Sequence, residues 1–112
     1  MAILSQTRPP GMAAVTAYTV PKGFKTVVRG YKIVNNQGSA VLYQIHLVKA
    51  NDTATITNLA YYGILPISSD RIIDLFGGDE LSDEGDFIVV QTPAKANSIA
   101  FTIMGAEYPT NR

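Results

Sequence analysis

Five carboxylates fall within the stretch "GGDELSDEGD" (77–86): Asp79, Glu80, Asp83, Glu84 and Asp86. Acid-rich loops of this kind can supply much of the roughly six to eight oxygen ligands that Ca²⁺ takes. The spacing departs from the EF-hand, which needs acids at alternate positions and a bidentate Glu closing the loop. A solvated acidic turn is the simpler reading, with a surface paired to a basic partner patch next. A Ca²⁺- or carbohydrate-binding module using this loop is the alternative of a different class.

Other reactive groups are few. There is no cysteine and no tryptophan, so thiolate chemistry and disulfides are excluded. The single histidine, His46, stands between Ile45 and Leu47. A general base needs an orienting partner and a nucleophile within hydrogen-bond reach, and no motif supplies either, so His46 is expected to be a partly buried strand residue. No Gly-x-Ser-x-Gly elbow occurs, and Gly77-Gly78 leads into acids that would repel a phosphate. No catalytic residue and no cofactor is expected.

The cations are clustered. "TAYTVPKGFKTVVRGYKI" (16–33) holds Lys22, Lys25, Arg29 and Lys32 and no carboxylate. With Tyr31 beside them, these could serve a single-stranded nucleic acid. A pI near 6.5 argues instead for contact with an acidic protein surface. Over the whole chain, residues 1–50 carry six cations and no acid, whereas residues 51–112 carry nine acids and three cations. Sorting from +6 to −6 is a cue for interaction, unless strands from both halves interleave and cancel it on the folded surface.

These residues must be positioned by strands. A chain of 112 residues with 46% hydrophobic content fits one globular domain. No apolar run approaches the roughly 18 residues of a membrane span. "MAILSQTRPPGMAA" lacks the basic start of a signal peptide, so export by that route is not expected. Residues 1–13 read as an extended arm reaching a neighbour, because Pro9, Pro10 and Gly11 break helix and ladder pairing. Residues 14–112 form the domain.

"VTAYTV" (15–20) and "KTVVRGYKIVN" (25–35) read as a hairpin joined by "PKG", with Pro21 at the first central turn position and Gly30 suited to a bulge. "AVLYQIHLVKA" (40–50) alternates, with Val41, Tyr43, Ile45 and Leu47 on one face. "TATITNLAYYGILPI" (53–67) reads as a short strand, a Tyr-rich loop and a second short stretch. "RIIDLF" (71–76), "FIVVQT" (87–92) and "SIAFTIMGAEY" (98–108) complete the set. Seven or eight short strands without an amphipathic helix predict an all-β antiparallel sandwich, jelly-roll or immunoglobulin-like.

In order, these segments resemble a class of small bacteriophage structural domains. The opening Tyr-Thr-Val-Pro-x-Gly element matches residues 18–23, and the later elements match Leu81, Gly85, Asp86 and Ile88, then Gly105, Glu107 and Tyr108. The likeness spans roughly residues 17–108, and its motifs encode turns and buried strands. The acidic 79–86 loop and the Tyr-rich 60–65 stretch depart from it. The resemblance implies a β-sandwich virion protein, assembled in the host cytoplasm. The expected role is a capsid decoration (cement) protein that stabilises the head by binding between major capsid proteins. Copies of itself, a homotrimer in the first instance, are the other expected partner. A tail, collar or fibre-attachment module is the alternative within the class. No membrane partner is expected. The expected contact residues are Arg8, Lys25, Arg29 and Lys32 for charge, and Tyr61, Tyr62 and Ile64 as apolar anchors.

Overall fold

The computed structural model describes residues 2–81 and 83–110, with side-chain detail outside 74–77. Met1 of the expected arm, Ser82 of the acidic stretch, and residues 111–112 lie outside the described residues. Eight strands follow one another: β1 (Ala2–Thr7), β2 (Val15–Thr19), β3 (Phe24–Asn35), β4 (Val41–Val48), β5 (Leu59–Leu65), β6 (Ser69–Leu81), β7 (Phe87–Gln91) and β8 (Ile99–Pro109). One 3-10 turn, Ile56–Asn58, precedes β5.

The pairing is nested. β1 lies antiparallel to β8, β2 to β7, β3 to β6 and β4 to β5. This is one long hairpin rolled so that its successive pairs alternate between two sheets. Further pairing of β3 with β8 and β4 with β7 completes the sheets β1-β8-β3-β6 and β2-β7-β4-β5. Eight strands wound in this way make a jelly roll, which decides between the two sandwich topologies expected.

Period-2 patterning fills the interior. Val28, Tyr31 and Ile33 of β3, Ile99, Phe101 and Ile103 of β8, Tyr43 and Ile45 of β4, and Ile88 and Val90 of β7 are all buried. The alternating face read in 98–108 is a core face, and the one read in 40–50 is a core face as far as Ile45. There the bulge against β5 shifts the alternation, leaving Leu47 half-buried and burying His46 and Val48. The bulge expected at Gly30 is present, since the pairing of β3 shifts between Val28 and Gly30 against both neighbours.

Five local expectations are corrected. Residues 2–7 are an edge strand rather than an arm. Pro9 and Pro10 stop the ladder only where they stand, and the residues before them satisfy the free rim of β8. The connection is fastened as well, because the Asn97 amide donates to the Pro9 carbonyl at 3.0 Å and Gln91 Nε2 donates to the Met12 carbonyl at 3.0 Å. Next, β2 and β3 are not a hairpin. They lie in different sheets, and the turn between them crosses the sandwich.

That turn is also one residue out of the expected register. Pro21 opens it, with the Phe24 amide donating to the Pro21 carbonyl at 3.2 Å. Gly23 then takes φ +82° at the third position, where a side chain is disfavoured. The Tyr-rich "loop" is strand β5, and the segment before it is turn rather than strand. Finally, β6 runs on to Leu81, so the acidic stretch begins inside a strand.

Candidate interaction surface

β5 is the outer strand of its sheet, with one rim paired to β4 and the other without a partner strand among the described residues. "LAYYGIL" alternates, and that decides which tyrosine is presented. Tyr62 and Ile64 point outward, 70% and 62% exposed, beside Gln44 and Leu42 of β4. Ile67 follows on the β5–β6 connection and Ile72 lies on β6, both also exposed.

Tyr61 does not join them. It turns inward, its ring 5.3 Å from that of Tyr31 at 56°. Its hydroxyl donates to Asp79 Oδ2 at 2.7 Å, and the Tyr31 hydroxyl donates to the same oxygen at 3.4 Å. Burial pushes the Tyr31 hydroxyl pKa above its ordinary range, and the Asp79 charge adds to this. For Tyr61 burial again leads, followed by the hydrogen bond to Asp79. These neutral phenols tie β3 and β6 of one sheet to β5 of the other.

The expected cations separate into two groups. Lys32 is exposed on the outer face of its sheet, between Ile72 of β6 and Thr102 of β8. It lines a shallow groove with Asn36, Ser69 and Asp70, and Arg8 Nη2 donates to Asn36 Oδ1 at 3.3 Å. Lys25 lies seven residues earlier on β3, about 23 Å away at strand rise. Its ammonium is 4.0 Å from Glu80, with both side chains about half exposed. Arg29 is half-buried at the bulge.

The sequence-level sorting of charge is thus partly undone, because basic β3 lies between β8 and acidic β6. Lys49 likewise approaches Asp83, at 3.8 Å. At least two of the cations find counter-charge within their own chain, where the sequence pointed to another surface.

The five acids diverge. Asp79 accepts from the two tyrosines, Glu80 and Asp83 face lysines, and Glu84 is exposed. Asp86 is buried. Its Oδ1 accepts from the Ala50 amide at 3.0 Å and its Oδ2 from the Asp83 amide at 3.3 Å, which pins two loops together. Among the described residues, no three His, Asp or Glu side chains gather as a metal site would require.

His46 is 6% exposed, more buried than the partly buried residue expected, because the shift in pairing between Ile45 and His46 turns it toward the interior. Its Nδ1 lies 3.0 Å from both the Thr55 carbonyl and Asn58 Oδ1. Asn58 in turn accepts from the Thr55 amide and donates to the Thr53 carbonyl. This network folds residues 53–58 over the strand, which occupies the imidazole in structure.

Two further polar clusters were missed in the sequence. The Tyr18 hydroxyl donates to Glu107 Oε2 and lies 2.8 Å from Thr26 Oγ1, joining β2 to β3 and β8 across the sandwich. Burial first, then the Glu107 hydrogen bond, pushes the Tyr18 hydroxyl up to about 12. Asn35, buried at the end of β3, donates to the carbonyls of Ser39, Leu65 and Pro66 and accepts from the Gln37 amide. Its signal was an amide closing an otherwise apolar strand face, where a buried polar group requires partners.

No protein-family model and no curated protein matches the chain. A solved structure described as infectious bursal disease virus, Gx strain, is similar to it with a TM-score of 0.45 and 12% identity. That likeness covers 95% of this chain and 30% of the other, and it is too distant to bear on function.

Proposed function

We propose that this chain is a non-enzymatic structural protein of a virion. Within that class it is a decoration (cement) protein, bound outside a bacteriophage head between major capsid proteins. The observation that carries the reading is a jelly roll closed by its own side chains. This winding recurs in viral capsid domains, in lectins and in cupins. A cupin-like enzyme needs polar ligands inside the roll, whereas here the interior is filled by Tyr31, Ile33, Phe101 and their neighbours. A Ca²⁺ module needs its acids together, and these point to separate partners.

What remains for function is the outside. Tyr62 and Ile64 offer apolar anchorage, while Lys32 offers charge on the outer face of the other sheet and Arg8 offers it beside Asn36. Each contact is small, and many copies on one lattice gain by avidity. The likeness of the Tyr18–Gly23 and Leu81–Ile88 elements to phage structural domains supports the phage assignment.

Electron microscopy of the native particle tests it. Density for this roll at repeated positions on the outer face of the head is the expected result. Density along the tail axis would assign it to a tail, collar or fibre module instead. Absence from purified particles overturns the virion reading.

A further inference from the structure

We propose that β5 pairs with the β5 of a second copy across a two-fold axis at Gly63, joining two β2-β7-β4-β5 sheets into one. A sandwich of two open sheets has four edge strands, and unguarded edges recruit other strands. β1 is interrupted by a bulge between Ile3 and Ser5, and β2 by one between Thr16 and Tyr18. β6 carries Asp70, Arg71, Asp79 and Glu80, and its pairing with β3 jumps from Asp74 to Asp79 across a single β3 residue. β5 has a single such break, at its start, where its pairing with β4 shifts between Leu59 and Tyr61. From Tyr61 to Leu65 its register with β4 is unbroken, and it contains neither charge nor proline.

Charge selects the occupant. Residues 53–69 contain no charged side chain. They hold Ile56, Tyr62, Ile64 and Ile67, half of the eight large apolar side chains exposed among the described residues. A neutral strand offers no counter-charge to a charged partner. It meets its own copy without like-charge repulsion, and the formal net charge of zero removes repulsion between whole copies.

The strand is also self-complementary when reversed. With Gly63 opposite Gly63, Tyr62 faces the second copy's Ile64 twice, and Tyr61 faces its Leu65 twice. Aromatic–aliphatic pairs of this kind stabilise antiparallel neighbours. An isologous pair therefore satisfies the open rim and covers the exposed anchors in one step. A three-fold arrangement cannot place β5 against itself, so the edge points to a pair where a trimer was first expected.

Sedimentation and mass measurement of the full chain test this. The expected species is a dimer whose amides in β5 are protected from hydrogen exchange and lose protection on dilution. Its dissociation constant should hold or tighten as salt is raised, since apolar pairing is not screened. Tyr62→Glu alone and Ile64→Lys alone should each weaken the dimer by about tenfold or more. The Tyr62→Glu/Ile64→Lys double variant sets each new carboxylate against a new ammonium of the other copy and should restore pairing. Both side chains point to solvent in the single chain, and an unchanged circular dichroism melt at low concentration checks the fold.

A monomer or trimer at high micromolar concentration overturns the proposal. So does a dimer indifferent to the single substitutions, or a double variant no better than the singles. Self-pairing is independent of what else the molecule binds: a monomer in solution leaves the virion reading to its own test.

Discussion

β5 and β6 follow one another in sequence and form edges of opposite sheets, yet their chemistry differs. β5 is neutral, apolar on its outer side and in unbroken register with β4 from Tyr61 to Leu65. β6 is long, irregular in its pairing and acidic at both ends. The same topological position is guarded in one sheet and open in the other. In a jelly roll the core fixes the shape, and the edges then determine what the shape can join.

The strongest test of the guarded edge is Gly78. It adopts φ +78°, and a Cβ there would fall 2.5 Å from Val27 Cγ1. Gly78→Ala should cost about 2 kcal/mol or more in urea unfolding, through strain and overlap together. A loss below about 0.5 kcal/mol would mean that the irregular part of β6 relaxes freely and guards nothing.

The tie between the two edges comes next. Asp79→Ala leaves the buried Tyr31 hydroxyl without its acceptor and should cost about 1–3 kcal/mol. Asp79→Asn keeps an acceptor and should cost less. Equal losses in the two variants would show that charge rather than hydrogen bonding matters there.

Alkali probes the neutral phenols. In the unfolded chain Tyr18 ionises at its ordinary 10.0, and in the fold burial pushes it up to about 12. Between those values the unfolded state binds fewer protons, so stability is full below pH 10 and falls as pH rises toward 12. Tyr18→Phe should flatten that decline in a melt series, and an unchanged slope would remove Tyr18 from the account.

The smallest effect belongs to the Lys25–Glu80 pair. At 4.0 Å and half exposed, its removal in Lys25→Ala should change stability by less than about 1 kcal/mol, with the difference vanishing in high salt. A larger, salt-resistant loss would mean that β6 is held to β3 by charge.

Much of the fold was legible in the residues. Val41, Tyr43 and Ile45, and likewise Ile99, Phe101 and Ile103, announced their buried face by alternation alone, and Gly30 announced the bulge. β1 was not legible, because "AILSQT" has no clean alternation and the prolines after it dominate the local signal. β5 read as a loop because paired tyrosines and a glycine resemble interface loops as much as an edge strand. For the candidate surface, alternation within "AYYG" could have separated Tyr62 from Tyr61 once a strand was assumed. The diverging acids could not have been foreseen, since four of five carboxylates close in sequence are sent to partners far along the chain.

Residue order alone dictated most of the extended segments and, within them, which face is apolar, because a pleated backbone imposes a two-residue period wherever a strand lies. Which strands became neighbours was set by packing in three dimensions, since any backbone rim satisfies any other and the choice rests on contacts distant in sequence. From that choice came the rolled hairpin, the meeting of Tyr31 and Tyr61 over Asp79, the return of Lys25 to an acid of its own chain, and the neutral, apolar edge presented by β5.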